Sequence, residues 1–506
     1  MSLENPFSES RQVIPRWHTY PVARWLGLAK ATGETSPPRA PTQDFREKIQ
    51  AWKNKPNPLY ASDLVGSALV LNQVDSIDAA DAAHFILAHD RTSPSSVVEL
   101  ANAYLRQVNH KGLPLPNIIL PEQTAKFHEA IASLKGRVRA YPRNPILWMD
   151  LAFYYSAIGQ KLSAEKAANV AISLNKENRY LLRSGSRFYM HMGLADQGLE
   201  LIRRSESGRH DPWLIAAEIA ISNTLGLAPK RINRGRELLT SSKIGKFHLS
   251  ELASALGTLE LANGAIKKGK RLFTLALEDP TENSLAQAAH LADVLGETAS
   301  HIGSKHLANS FEAETSLKFY QDEDYRGALE AAKKWFAYQP FSSRPALSGS
   351  YIAAVTLDDH EEAVRITKMG LLSSPNDVML RNNLAFSLAS LDHPSEAREA
   401  LSHIKESDLK KRELAVITAT KALVDFRSGN LTAARKLYAD SIAGFKQVND
   451  ARAEIMARFF WVREERLANP NLPDHLLQEI LKSAAKLGIK GLHLQQVVDK
   501  RNDSLF

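Results

Sequence analysis

The chain has 506 residues, 44% of them apolar, with 64 Lys and Arg against 56 Asp and Glu and a formal net charge of +8. Cysteine does not occur, which excludes disulfides, thiolate nucleophiles and cysteine-ligated zinc. No apolar run approaches the ~18 residues of a membrane span, and the opening MSLENPFSESRQ carries an acid early without an apolar stretch, so no secretory leader and a cytoplasmic address are expected.

Residues 1–58 hold Pro6, Pro15, Pro21, Pro37, Pro38, Pro41, Pro56 and Pro58. Proline lacks the N–H and disfavours a helical predecessor, so an extended arm is expected here. Trp17, Tyr20, Trp25 and Trp52 lie within it. Trp17, Tyr20 and Trp25 are read as aromatic anchors that dock the arm on its own chain or on a partner. From residue 59 to 143 the pattern turns helical without a clean repeat, over 62–71, 77–88, 94–108 and 121–135, as degenerate hairpins forming an N-terminal cap.

A regular array begins at Asn144-Pro145, where Asn caps and Pro takes the first helical position. Trp148, Leu151, Ala152 and Tyr155 then form one apolar stripe. Gly159 suits the helix end, and Ala164, Ala168 and Ala171 mark the inner face of a second helix. Small residues recur from there on. Ala164, Gly198, Gly235, Gly269, Gly303, Ala328, Ala363, Ala397 and Ala434 mostly follow one another at about 34 to 37 residues, the period of stacked helical hairpins.

In NPILWMDLAFYYSAIGQKLSAEKAANVAISLN the residues Trp148, Leu151, Ala152, Tyr155, Gly159, Ala164 and Ala171 stand where the tetratricopeptide repeat (TPR) family places its signature. Ala328, Ala332 and Pro340 repeat its second half, and Leu384, Ala385 and Ala397 recover another part. The chain over roughly residues 144–468 resembles that family. The resemblance implies an all-α fold, a right-handed α-solenoid of TPR-like helical hairpins, and a binding role.

The step from Gly303 to Ala328 is too short for a hairpin, and HIGSKHLANSFEAETSLKFY reads as one continuous helix where two sub-solenoids meet. The expected order is an arm (1–58), a helical cap (59–143), sub-solenoids at 144–308 and 309–468, and C-terminal capping helices (469–506), one at 474–487 and one near 492–500.

Chemical motifs are few. Gly264-Ala-Ile-Lys-Lys-Gly269-Lys270-Arg271 has phosphate-loop spacing but ends in Arg and sits inside a helix, whose N–H groups are already used. His84 and His89 do not share a helical face, and Asp322-Glu323-Asp324 lacks the later ligands of a calcium loop. No catalytic residue, metal or cofactor is expected.

Two surfaces stand out. Tyr180, Arg183, Arg187 and His191 form one stripe beside Phe153, and in proteins of this resemblance that face looks into the concave groove. With Asn382 and Asn383 further along, the stripe predicts a groove for a protein partner with an acidic or carboxylate-bearing segment. Lys230, Arg231, Arg234, Arg236, Lys243, Lys246, Lys267, Lys268, Lys270 and Arg271 face only Glu237, Glu251 and Glu260 over the same stretch. With Arg203 and Arg204 on the preceding unit they predict a basic ridge on second helices. The expected function is a non-enzymatic scaffold or adaptor within a larger assembly, and the alternative is a nucleic-acid-associated subunit that meets phosphates through the ridge.

Overall fold

In the computed structural model the residues described here are 12–28, 43–70, 76–108, 122, 124–241, 243–295, 310–469, 471, 474–489 and 492. The fold is all-α: repeating helix–helix pairs build a right-handed solenoid, with no β-sheet among the described residues. Residues 12–28 run extended up to Tyr20–Trp25 (α1), whose Pro21 lies in the first turn, where a missing N–H costs no hydrogen bond.

The helices Gln43–Asn54 (α2), Pro58–Val70 (α3), Ile77–Ala88 (α4) and Ser95–Val108 (α5) belong to a separate compact unit, residues 32–117 with 242–245. Its core joins Phe45, Trp52, Leu64, Ile86 and Tyr104. Residues 43–54 depart from the extended arm expected of them. They form a helix because no proline falls between Pro41 and Pro56, and Trp52 meets Phe85 edge to face at 5.0 Å.

The larger unit starts from the arm and continues with Thr124–Ala140 (α6). Four hairpins follow: Pro145–Ala157 (α7) with Lys161–Leu174 (α8), Arg179–His191 (α9) with Ala195–Arg204 (α10), Pro212–Thr224 (α11) with Ile232–Leu239 (α12), and Lys246–Ala262 (α13) with Ile266–Ala276 (α14). Glu282–His290 (α15) and Ala292–Leu295 (α16) come next. Gly303 and the junction at 308–309 lie outside the described residues.

Phe311–Tyr320 (α17) pairs with Tyr325–Tyr338 (α18), and Ser343–Tyr351 (α19), extended by a π turn over Ile352–Thr356, pairs with His360–Ser373 (α20). Val378–Ser390 (α21) with Pro394–Ser402 (α22), Lys411–Arg427 (α23) with Leu431–Gln447 (α24), and Ala451–Ala468 (α25) with Asp474–Lys486 (α26) complete the stack. The continuous helix expected over 301–320 is corrected. Ser310 is extended (φ −148°, ψ 96°) and its hydroxyl accepts from Ala313 N–H, so α17 begins after it. The helix expected near 492–500 lies outside the described residues.

Local chemistry sets these boundaries. The Asn144 side chain accepts from Ile146 N–H at 3.0 Å, Asp211 caps α11, Asp377 caps α21, and Asp324 in the acidic turn caps α18 through Gly327 N–H at 2.9 Å. Every described member of the small-residue ladder is buried. A side chain at Gly198 would press its Cβ to 2.9 Å from the Ser186 carbonyl oxygen of α9, which shows how closely paired helices approach. The stack also turns back on itself: Gly159, at φ +73°, lies against the Leu372 carbonyl of α20, and Arg365 of α20 reaches Glu122 at 2.6 Å.

Candidate functional site

The arm runs across the helices α7, α9, α11, α15 and α17. Trp17 is fully buried among Phe153 of α7 (ring centroids 5.3 Å), Phe188 of α9 (5.8 Å) and Phe341 after α18 (4.9 Å). Its neighbours are held by polar contacts: Arg16 pairs with Glu312 of α17, and His18 Nε2 hydrogen-bonds Glu282 of α15. Side chains of the stack also grip the arm's backbone. Asn283 Nδ2 donates to the Ile14 carbonyl (2.9 Å), the Tyr180 hydroxyl donates to the His18 carbonyl (2.9 Å), and Tyr20 N–H donates to Asp150 Oδ1 (2.7 Å). Of the expected anchors, Trp17 is the central one and Tyr20 meets Tyr180 edge to face at 5.3 Å. The side chain of Trp25 lies outside the described residues.

Burial and charge shape the titration of this channel. Burial pushes the Asp150 carboxyl up to about 7, against the pull of Tyr20 N–H and the Tyr180 hydroxyl. At Glu282 burial acts upward too, but His18 and Arg16 outweigh it and hold the carboxyl below its usual range. Burial, then the charges of Arg16 and Arg344, lowers Arg187 to about 9, and the guanidinium lies over the Phe341 ring at 5.1 Å. His191 falls to about 3 through burial and the Arg187 charge, so it is neutral at physiological pH.

The expected groove residues therefore divide. Phe153, Tyr180, Arg187 and His191 do converge, around the arm and Phe341. Arg183 does not await a guest, because it is buried and forms two hydrogen bonds with Glu251 of α13. The anion that a partner was expected to bring to Arg183 is supplied from within the chain. Asn382 and Asn383 are buried in α21: Asn383 donates to Ser350 Oγ at 3.0 Å, and the Asn382 amide has no hydrogen-bond partner among the described residues.

Much of the expected basic ridge is likewise internally neutralised. Arg203 donates twice to the buried Glu218, Arg204 pairs with Glu200, and Arg234 pairs with Glu237. Arg231 caps the end of α10 by donating to the carbonyls of Ile202, Arg203 and Gly208. Glu260 bridges Arg236 of α12 and Lys268 of α14, so these two cations meet at one carboxylate. Lys267 and Arg271 are exposed and Lys270 half-buried, with no ion pair among the described residues. The phosphate-loop-like segment is ordinary hairpin: Gly264 at φ +78° ends α13, and Gly269 packs inside α14 against Leu261.

No family model and no curated protein matches the sequence. Among solved structures the chain is similar to a human IFIT1 dimer with PPP-AAAA, at 14% identity over 75% of this chain and 94% of that one, with a TM-score of 0.36. It is also similar to Naa15/Naa10 bound to HypK-THB, at 15% identity over 85% of this chain and 78% of that one, with a TM-score of 0.26. The similarity is one of helical architecture, and no functional argument rests on it.

Among the described residues no cluster of His, Asp and Glu is placed to hold a metal ion, and no helix is long and apolar enough to cross a membrane. Sequence reasoning missed Asp150, Glu282, Glu312 and Phe341. Asp150 carried a signal, a lone charge within the apolar run of α7, where a buried carboxylate requires donors. Glu282 and Glu312 look like ordinary first-turn acids, which are favoured at any helix N-terminus.

Proposed function

We propose that this chain is a non-enzymatic TPR-like scaffold that binds another protein in the concave channel of its helical stack. The observation that supports the reading most is the arm itself. It is an extended segment held against the first helices by an aromatic anchor, by an ion pair and by side chains that grip its backbone, which supports a stack built to receive such a segment. The stretch 144–308 is proposed as the receiving sub-solenoid and 309–468 as the second. The partner-facing residues would be Phe153, Tyr180, Arg187 and His191, with Phe341 added.

A second reading, nucleic-acid association through the convex face, is favoured by one observation: among the described residues Lys267, Lys270 and Arg271 have no ion pair, beside Lys268 on α14. One experiment separates the two. A photo-crosslinking side chain is placed at position 191, in the channel, or at position 271, on the convex face, of the full chain in its own cells. Protein adducts at 191 support the scaffold. Nucleic-acid adducts at 271 with none at 191 replace it with the second reading.

A further inference from the structure

We infer that residues 12–28 are an internal ligand, and that the partner site of the channel takes an extended, basic and Trp-bearing segment that competes with this arm. The inference rests on the scaffold reading above and adds to it the chemistry of the guest and the means of its control.

The arm makes the contacts a bound peptide makes. Successive residues reach different first helices: Gln12 meets Asn223 of α11, Ile14 meets Asn283 of α15, Arg16 meets Glu312 of α17, and Tyr20 meets Asp150 of α7. Asn283 and Tyr180 donate to the arm's carbonyls at Ile14 and His18, and the arm's Tyr20 N–H donates to Asp150, which fixes its register whatever its side chains. Register established, specificity falls to the side chains. An aromatic cage receives Trp17, and carboxylates at Glu312 and Glu282 receive Arg16 and His18.

The carboxylates of Glu312 and Glu282 therefore favour Arg-like and His-like side chains at the places of Arg16 and His18. Arg187 and Arg344 also face this channel, and both bias it against a purely cationic peptide; Arg187 is engaged on Phe341, and Arg344 pairs with the second oxygen of Glu312 at 3.2 Å. An acidic segment would meet Glu282, Glu312 and both arginines with no aromatic gain, whereas one shaped like Arg16-Trp17-His18 meets the carboxylates and fills the cage.

The fit of the resident arm is incomplete in a way that permits exchange. Arg16 Nε, Trp17 Nε1 and His18 Nδ1 are all buried with no hydrogen-bond partner among the described residues. Burying an unpaired polar group costs free energy that a better-matched segment recovers. Three consecutive residues carry that cost, so the arm holds the channel shut against solvent without holding it optimally. Removing Trp17 from the channel would leave an aromatic cage facing water, and the guest must replace it with an aromatic of its own.

The test uses the full chain with Trp17→Ala and a fluorescent peptide spanning residues 12–28 added in trans. When the resident arm is weakened the competent fraction of channels rises, so the peptide is expected to bind the variant at least about 10-fold more tightly than the wild type. A peptide carrying Trp17→Ala, or one with acids at positions 16 and 18, is expected to bind neither. Absence of peptide binding to a variant that keeps wild-type circular dichroism overturns the inference. Should Trp17→Ala fail to fold, Arg16→Gln, which keeps the aromatic anchor, takes its place in the same assay, and failure of that variant to fold also overturns it, because the arm is then a permanent part of the core. In cells, a protein adduct at position 191 that excess peptide suppresses supports the inference. An adduct that the peptide does not affect overturns the inference and leaves the scaffold reading standing, while peptide binding without any adduct removes the scaffold reading and with it the competing partner.

Discussion

Arg183 and Glu251 face each other across α9 and α13 in a bidentate pair, Nη1 to Oε2 at 2.8 Å and Nη2 to Oε1 at 2.9 Å, with both side chains buried. Trp213 lies against the guanidinium at 4.8 Å, and Thr281 Oγ1 donates to Glu251 Oε1 at 3.3 Å. Fork geometry and low exposure make the two groups interdependent. Truncating either alone leaves an uncompensated buried charge, so Arg183→Ala or Glu251→Ala is expected to cost about 3–5 kcal/mol. The double change Arg183→Met with Glu251→Leu is expected to cost less than either single one. Urea unfolding of the four proteins checks this, and additive losses would show that the pair is not coupled.

Asp150 links arm docking to pH. Its carboxyl titrates near 7 in the folded chain and near the ordinary value of 3.8 when unfolded. The folded state therefore keeps a proton that the unfolded state has lost between about pH 4 and 7, and stability falls as pH rises through that window. Asp150→Asn keeps an oxygen to accept from Tyr20 N–H but cannot ionise. The variant is expected to lose this part of the pH dependence and to be more stable than wild type at pH 8. Thermal midpoints at pH 5 and pH 8 measure it, and parallel curves for the two proteins would remove Asp150 from the account.

The hairpin array was legible because its information is local and periodic. Asn144-Pro145, Gly159 and the ladder from Ala164 to Ala434 each encode a cap, a turn or a close helix contact within a few residues. The candidate site was legible only in part. The stripe Tyr180, Arg183, Arg187, His191 shares a face, as its spacing requires, but its partners come from Glu251, 68 positions from Arg183, and from the arm far upstream. Ion pairs between distant segments leave no periodic trace. The same reason explains the ridge, where Arg203 and Arg231 look solvent-bound in sequence and instead serve Glu218 and the end of α10.

Two glycines on helices should respond oppositely to alanine. At Gly198 an added Cβ would press on the backbone oxygen of Ser186, which cannot swing aside, so Gly198→Ala is expected to destabilise by about 1–3 kcal/mol. Gly136 of α6 is exposed with nothing within 4 Å of an added Cβ, so Gly136→Ala is expected to stabilise by about 0.4–1 kcal/mol through the unfolded chain. Denaturant midpoints of the two variants give the comparison. A stabilised Gly198→Ala would mean that α9 and α10 have room to separate.

The exposed face of α14 offers the last prediction, since it separates a solvated surface from a working one. Lys267, Lys270 and Arg271 have no ion pair among the described residues, so replacing all three with Glu breaks no salt bridge there and is expected to change stability by less than about 0.5 kcal/mol per site. If the face binds phosphates, affinity for single-stranded or duplex nucleic acid should fall steeply as salt rises, and the triple variant should abolish it. Lys268 is left in place because Glu260 already holds it with Arg236, and changing it would disturb the junction of α12 and α14. Filter binding across a salt series, run on the full chain and the triple variant, reads both slopes. Nucleic-acid binding that survives the triple change would move the contact off α14, and no binding even at low salt would leave these three cations as a solvated surface of the scaffold.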